Sequence, residues 1–157
     1  MAAMNLGDPM PDVTLTGENG PVKLRDLLQD KALVVYFYPK DETPGCTREA
    51  CAFRDQYQDF TDAGADVIGI SRDDAASHAK FKAKERLPFT LLSDLGGKVG
   101  MSWGVAGGSL LAGRSTFVFD KAGILRHKFE SRIRFGKHVE EALETVKKLA
   151  AELAASA

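Results

Sequence analysis

The sequence predicts an α/β fold in which helices flank a central mixed β-sheet. Two observations lead to this prediction. A strand–helix–strand unit spans Lys31 to Ile70, and a β-hairpin between Ser115 and Phe129 precedes a terminal helix. The crossover of a strand–helix–strand unit is right-handed and leaves its strands parallel, whereas the strands of a hairpin are antiparallel. A sheet that contains both units is mixed.

The strand–helix–strand unit begins with the run Lys31 to Pro39, which is rich in β-branched and aromatic residues and ends in proline. Such a run is typical of a central strand buried on both faces. Thr43-Pro-Gly-Cys46 then opens a helix whose apolar positions recur at spacings of three and four, and Gly64 ends it as a C-cap. These apolar positions are Ala50, Phe53, Tyr57 and Phe60.

The second strand of this unit runs from Asp66 to Ile70, and Asp73 or Asp74 caps a helix that continues through Glu85. In the hairpin, the two strands flank a turn from Asp120 to Gly123, where glycine supplies the positive φ angle.

The two ends of the chain complete the sheet and its cover. The last helix starts near Lys137, and short strands are expected around 13–15 and 22–24. This order of elements is the thioredoxin-like arrangement. The apolar face of the last helix consists of Val139, Ala142, Leu143, Val146, Leu149, Ala150 and Leu153.

Length and composition fit one domain that covers residues 1–157. The net charge of −1 supplies no basic surface for nucleic acid. The longest apolar run, seven residues from Ala32 to Tyr38, is far shorter than the ~20 residues that span a bilayer. The N-terminus lacks the cationic start and apolar core of a secretory signal, although Met4 offers a second candidate start. We therefore expect a cytoplasmic protein that binds neither nucleic acid nor membrane.

The chain has two cysteines, Cys46 and Cys51, and three scattered histidines, His78, His127 and His138. A domain of this length needs no disulfide for stability, so a cytosolic cysteine pair is more often catalytic, redox-active or metal-binding. A zinc site takes about four ligands with paired close spacings, which these residues do not supply. We expect no metal and no cofactor, with the histidines at the surface or in helix caps.

Cys46 is predicted to lie in the first turn of a helix that directly follows a central strand. The unpaired N–H groups and the positive end of the helix dipole stabilise an anion there, so the thiolate is favoured over the thiol. The alternative is that Cys46 is a small buried apolar residue, as cysteines commonly are.

The residues around Cys46 favour a reactive thiolate. Pro39, Thr43 and Cys46 follow the pattern Pro-x-x-x-Thr-x-x-Cys, and Arg114-Ser-Thr-Phe117 lies far along the chain. In these features the chain resembles the peroxiredoxins, and among them the PrxQ or bacterioferritin comigratory protein branch. The resemblance extends from Gly7 to the terminal helix. It implies a thiol peroxidase that acts on hydrogen peroxide and organic hydroperoxides.

The resemblance implies different roles for the two cysteines. Cys46 attacks the peroxide O–O bond and becomes a sulfenic acid. Cys51 resolves this acid as an intramolecular disulfide, which thioredoxin or a similar dithiol protein then reduces. The Gly-Gly-Leu-Gly and C-terminal Tyr-Phe motifs of the oxidation-sensitive dimeric peroxiredoxins are missing from the sequence. Their absence favours the intramolecular disulfide, and we expect a monomer.

Four further residues are expected at the site. Thr43 hydrogen-bonds the attacked peroxide, and Arg114 stabilises the thiolate and then the charge that develops on oxygen. By resemblance, Pro39 shields the site from water and Glu49 orients an arginine. The glycine-rich segment 103–113 looks short for the branch, which leaves the shape of the pocket and the preferred hydroperoxide undefined.

Three alternatives remain. Cys51 lies beside Ala50 and Phe53, where it could be buried and inert. A disulfide oxidoreductase of the same fold usually has Cys-x-x-Cys, whereas this chain has Cys-x-x-x-x-Cys. The third is a non-enzymatic chaperone or interaction module on a thioredoxin-like scaffold. Consumption of hydrogen peroxide with thioredoxin, thioredoxin reductase and NADPH separates the peroxidase from the other two functions.

Overall fold

The computed structural model describes residues 4–105, 114–131 and 134–156. Seven strands form one sheet in the order β2-β1-β5-β4-β3-β6-β7. They are β1 Thr14–Gly17, β2 Gly20–Lys23, β3 Ala32–Phe37, β4 Ala65–Ser71, β5 Thr90–Ser93, β6 Ser115–Phe119 and β7 Leu125–Glu130. The α-helices are α1 Pro44–Asp55, α2 Tyr57–Asp62, α3 Ala75–Glu85, α4 Lys98–Trp103 and α5 Phe135–Ser156, and short 3-10 turns cover Leu24–Leu27 and Leu95–Gly97.

The central strand β3 combines the two predicted units in one sheet. It pairs in parallel with β4, where Val35 faces Ile68, and antiparallel with β6, where Val35 faces Phe117. Strands β6 and β7 form the predicted antiparallel hairpin, with Gly123 at a φ of 84° in the turn. The prediction of an α/β fold with a central mixed sheet and flanking helices is confirmed.

Alternate side chains of β3 enter two separate core layers, because successive residues of a strand point to opposite faces of the sheet. Val34, Tyr36 and Tyr38 pack on one face with α1, α2, α3 and α5, and the ring of Tyr36 stacks on that of Phe53 at 4.5 Å. The other face is covered by α4 and the N-terminal segment. Its apolar layer includes Leu33, Val35, Phe37, Trp103, Phe117 and Phe119.

Several predicted element bounds differ from the structure. The single helix expected from Thr43 to Gly64 is divided at Gln56, which has a φ of −102° and a ψ of 3°. Both parts still bury their apolar positions in the same core layer. The last helix starts two residues before Lys137, and Leu153 at its end is 49% exposed rather than part of the apolar face.

The sequence did not predict β5 or α4. Strand β5 lies between β4 and β1, so it connects the N-terminal hairpin to the central strands. The only sequence sign of β5 is a run of four residues, which is too short to show a period. Of the glycine-rich segment, residues 106–113 lie outside the described part of the chain, whereas Trp103 is buried against Phe37 and Phe117. No helix in the described ranges is long and apolar enough to span a membrane.

Candidate active site

Cys46 lies in the first turn of α1, directly beyond the end of the central strand. Thr43 is the N-cap residue, with extended backbone and no capping hydrogen bond from its side chain, and Pro44 occupies the first helical position. The N–H groups at a helix start have no acceptor within the helix. Cys46 lies in this turn and is only 1% exposed. The backbone here favours an anion in a nearly dry site.

The Arg114 side chain links α1 to β6, the strand that pairs with β3 in antiparallel orientation. It immediately precedes β6, and its side chain is buried. Its Nη2 donates to the Cys46 Sγ at 3.4 Å, and its Nη1 donates to Glu49 Oε1 at 2.6 Å. Burial lowers the pKa of Arg114, but Glu49 and Cys46 more than offset that effect, so the pKa is raised and the guanidinium stays charged. The predicted association of Arg114 with Glu49 and Cys46 is therefore present in the geometry.

The guanidinium is held against α1 by close packing on its other side. The Arg114 Cζ lies 4.7 Å from the centre of the Phe135 ring, a cation–π contact. A Cβ atom at Gly45 would lie 2.9 Å from Phe135 Cζ and 3.2 Å from Arg114 Nη2. Glycine at this position allows the ring and the guanidinium to approach the helix start. Neither Gly45 nor Phe135 was predicted as a site residue. The one sequence signal was the glycine directly before Cys46, which is compatible with another side chain packing closely against the start of the helix.

Glu49 is fully buried one turn after Cys46. Burial raises the pKa of its carboxyl group to about 7, and the charge and hydrogen bond of Arg114 oppose this rise. Its second oxygen, Oε2, has no hydrogen-bond partner among the described residues. The Nδ1 of His138 lies 3.7 Å from that oxygen.

His138 is fully buried, so the expectation that the histidines lie at the surface or in helix caps is wrong for this residue. Its Nε2 lies 2.7 Å from the Ser131 carbonyl oxygen, and its Nδ1 lies 2.7 Å from the Thr116 hydroxyl. A carbonyl only accepts, so Nε2 carries a proton and Nδ1 of the neutral ring accepts from Thr116. Burial is the main cause that lowers the pKa of His138 to about 4; the hydrogen bond to Ser131 opposes this shift, and the charge of Arg114 adds to it. Thr116 in β6 and Glu49 in α1 are distant from His138 in sequence, so no local motif indicates these contacts.

Thr43 and Pro39 lie in the segment between β3 and α1. The Thr43 hydroxyl donates to the Lys40 carbonyl at 2.9 Å, so its lone pairs are left to accept from another group. Pro39 is half-buried. Neither side chain forms a hydrogen bond to Cys46 in the described part of the chain, so the roles expected for both residues stay predictions.

Cys51 lies near the other end of α1 and faces α3. Its Sγ donates to Glu85 Oε1 at 3.5 Å, and its side chain is partly exposed. Burial raises the pKa of the Cys51 thiol, Glu85 raises it further, and Arg54 opposes the shift. Both cysteines are free thiols in this structure. The structure places them on different sides of one helix and does not bring their sulfurs together.

The buried carboxyl of Glu49 makes stability depend on pH in a defined direction. The pKa of Glu49 is about 7 in the folded protein, above the ordinary value of 4.5. The protonated carboxyl therefore contributes fully to the stability of the fold below pH 4.5, and this contribution is lost as pH rises through 7. Glu49→Gln cannot ionise. We expect the free energy of unfolding of the wild type, relative to Glu49→Gln, to fall by on the order of 2 kcal/mol between pH 4.5 and pH 7.5.

Urea unfolding at several pH values measures this difference. Glu140→Gln is the matched control, because Glu140 is exposed on α5 and its substitution should leave the pH dependence unchanged. A constant difference between the wild type and Glu49→Gln across this range would contradict the raised pKa.

Comparison with known proteins identifies the family. Residues 6–128 match the AhpC/TSA family. The chain is 50% identical to the chloroplastic peroxiredoxin Q of Arabidopsis thaliana over 149 residues, which is 93% of this chain and 68% of that protein.

Solved structures agree with the sequence comparison. Peroxidoxin BcpB from Mycobacterium tuberculosis superposes with a TM-score of 0.86 at 37% identity, over 92% of this chain and 97% of its own. The bacterioferritin comigratory protein of Xanthomonas campestris, a structure that addresses alkyl peroxide reduction, superposes with a TM-score of 0.80 at 29% identity, over 91% of this chain and 99% of its own. The chain belongs to the AhpC/TSA family, in its peroxiredoxin Q branch with a thioredoxin-like fold, and is a thiol-dependent peroxidase.

Proposed function

We propose that the chain reduces hydrogen peroxide and organic hydroperoxides through Cys46, with Cys51 as the resolving cysteine and thioredoxin or a similar dithiol protein as the reductant. The observation that carries the proposal is the Arg114 guanidinium, which contacts the Cys46 sulfur while Glu49 fixes its orientation. The alkyl peroxide reduction of the Xanthomonas campestris relative supports organic hydroperoxides as substrates.

In the first step, the Cys46 thiolate attacks one peroxide oxygen and the O–O bond breaks. The sulfur gains the OH group and becomes a sulfenic acid, and the other oxygen leaves with the bonding electrons and takes up a proton to give water or an alcohol. Arg114 Nη2 lies beside the sulfur, where it can stabilise negative charge that moves from sulfur to oxygen. Thr43 can accept a hydrogen bond from the peroxide O–H, because its own proton is directed to Lys40.

Stabilising the reacting oxygens matters more than acidifying the thiol. An ordinary cysteine is already a few per cent thiolate at neutral pH, so complete ionisation gains only about 30-fold. A lower thiol pKa also reduces the nucleophilicity of the thiolate. Most of the rate must therefore come from groups that polarise the O–O bond. Arg114, Thr43 and the first-turn N–H groups of α1 are the candidates.

In the second step, the Cys51 thiol attacks the Cys46 sulfenic acid, forming the disulfide and releasing water. A dithiol protein then reduces the disulfide by thiol–disulfide exchange. A thioredoxin-type reductant fits this chemistry, because the Cys51 side of α1 is partly exposed. Pro39 is proposed to limit access of water to the sulfur from the loop before α1.

We further propose that the whole chain acts as one domain and as a monomer. The plant relatives are named as chloroplast proteins. For this chain we propose a cytoplasmic location, which fluorescence microscopy of the tagged protein tests.

Replacing Cys51 tests the proposed cycle. With thioredoxin, thioredoxin reductase and NADPH, Cys51→Ser should consume one equivalent of peroxide and stop, because its sulfenic acid has no resolving thiol. A dimedone-type probe followed by mass spectrometry should detect that acid. Cys46→Ser is the control and should consume no peroxide. Undiminished cycling by Cys51→Ser would rule out Cys51 as the essential resolving residue, and turnover by Cys46→Ser at a tenth of the wild-type rate would exclude Cys46 as the nucleophile.

Arg114→Lys tests how the O–O bond is polarised. Lysine keeps the charge, but its single ammonium cannot serve Glu49 and Cys46 with two separate donors in a fixed plane. We expect the first oxidation of Cys46, measured by rapid quench and mass spectrometry, to slow by about tenfold or more, and by about 10²-fold in Arg114→Ala. Arg126→Lys, at an exposed ion pair with Asp120, is the control and should react at the wild-type rate. An Arg114→Lys rate equal to wild type would show that charge alone is sufficient.

A further inference from the structure

A second buried polar cluster surrounds the carboxylate of Asp41, in the loop between β3 and α1. Tyr38 donates to Asp41 Oδ1 at 2.6 Å, Ser77 donates to Oδ2 at 2.8 Å, and the His78 Nδ1 lies 2.7 Å from Oδ2. The Asp41 backbone N–H donates to Asp73 Oδ2 at 2.8 Å. The side chains of Asp41 and His78 are 2% and 3% exposed, so this is a buried pair.

The hydrogen bonds define the charges in this cluster. The Nε2 of His78 lies 3.0 Å from the Leu92 carbonyl oxygen, which can only accept, so Nε2 carries a proton. Burial raises the pKa of Asp41, but hydrogen bonds from His78, Tyr38 and Ser77 lower it below its ordinary value overall. Asp41 accepts at both oxygens, and Nδ1 of His78 donates to Oδ2. His78 and Asp41 form a buried ion pair, and the expectation of a surface or capping histidine is wrong here as well.

The position of Asp41 matters because the side chain of Thr43, the N-cap residue of α1, makes no capping hydrogen bond within the described part of the chain. The Thr43 hydroxyl turns back to Lys40 instead of capping the helix. Glu42 has a φ of 61°, in the left-handed region that residues other than glycine seldom adopt. Asp41 bonds this loop to α3 in the protein interior, and Glu42 pairs with Lys80 and Lys84 of α3 at the surface, where ion pairs contribute little. The order of the first turn of α1 therefore depends on the Asp41 cluster.

The same helix α3 also contacts the second half of α1, which carries Cys51. Cys51 donates to Glu85 Oε1 at 3.5 Å, and Arg54 Nη1 donates to the Glu85 carbonyl at 2.8 Å. Any movement of α1 that joins the two cysteines must break the Cys51 contact, which is weak and partly exposed. The Asp41–His78 pair at the other end is much harder to separate, because each partner would be left as an uncompensated buried charge.

We propose that the Asp41–His78 ion pair positions the start of α1 and sets how readily the turn around Cys46 opens to form the disulfide. The proposal rests on the proposed function in one respect, since it takes Cys51 as the partner of Cys46. Asp41, Ser77 and His78 act through the loop and touch no reacting atom, so they are positioning residues. The intact pair keeps the turn closed around the peroxide.

Weakening the pair should have opposite effects on the two fates of the sulfenic acid. In the open turn, the acid reacts with the Cys51 thiol to give the disulfide and water. In the closed turn, it can react with a second hydroperoxide molecule, which transfers an oxygen to give the sulfinic acid and leaves as water or an alcohol. A more open turn favours the disulfide and reduces over-oxidation.

Asp41→Asn tests the proposal, because asparagine keeps the shape of the side chain but removes the ion pair. In the reduced protein, the amides of Thr47, Arg48 and Glu49, whose acceptors are the carbonyls at the start of α1, should exchange with deuterium at least tenfold faster, while those of β3 stay unchanged. After a pulse of peroxide, the disulfide should form about tenfold faster, and the first oxidation should change by less than twofold. Ser77→Ala removes one hydrogen bond to Asp41, and the variant should still fold because alanine favours a helix. Its amide exchange and its disulfide formation should both be severalfold faster than in the wild type.

His127→Asn is the matched control, since His127 is half-buried on β7 and far in sequence from the loop. It should leave exchange and both rates unchanged. NMR of the ring nitrogens should show two N–H protons on His78 in the wild type and one in Asp41→Asn. Wild-type exchange in both Asp41→Asn and Ser77→Ala, or faster exchange in β3 to the same extent as in the first turn of α1, would overturn the proposal. Absence of the disulfide in the wild type would instead contradict the role of Cys51, and the exchange rates would still decide the role of the pair.

Discussion

The spacing of the two cysteines on α1 constrains the rest of the site. Five residues along an α-helix correspond to a rise of about 7.5 Å and a rotation of about 140°, which separates the two Cα atoms by about 8.6 Å. A disulfide needs Cα atoms about 4.4–6.8 Å apart with converging Cβ vectors. Cys46 and Cys51 both lie within the intact helix Pro44–Asp55. The helix that presents Cys46 to peroxide therefore cannot also accept the disulfide, and its start must be held and then released.

The sheet and the flanking helices hold the start of α1 in place. Strand β3 ends just before the loop that carries Asp41, β6 places Arg114 against the sulfur, and α3 contacts the segment at both ends. The buried charges occur as pairs, Arg114 with Glu49 and His78 with Asp41. Such a pair adds little net stability, but removing one partner costs about 3–5 kcal/mol, so each pair fixes its neighbours in one arrangement. The two pairs therefore define one closed geometry around Cys46 more than they stabilise the fold.

Local patterns were sufficient to predict the central strand from its β-branched and aromatic run, the helix that carries Cys46 from the period of its apolar residues, and the hairpin from its turn sequence. Arg114 and Glu49 were found only because a family resemblance connected positions that are 65 residues apart. His78 and His138 could not be predicted in this way. Each is buried through contacts with elements distant in the chain, and a single histidine in an amphipathic helix looks the same whether its partner is water or a carboxylate. Strand β5 was missed because it is short.

Hydrogen exchange of the reduced and disulfide forms tests the central constraint most directly. The account predicts that amides from Thr47 to Arg54 lose protection when the disulfide forms, because the helix must open for the sulfurs to meet. Amides from Val34 to Phe37 in β3 should keep their protection, which shows that opening is local. Equal protection of α1 in the two forms would mean that the helix stays closed, and it would contradict Cys51 as the partner of Cys46.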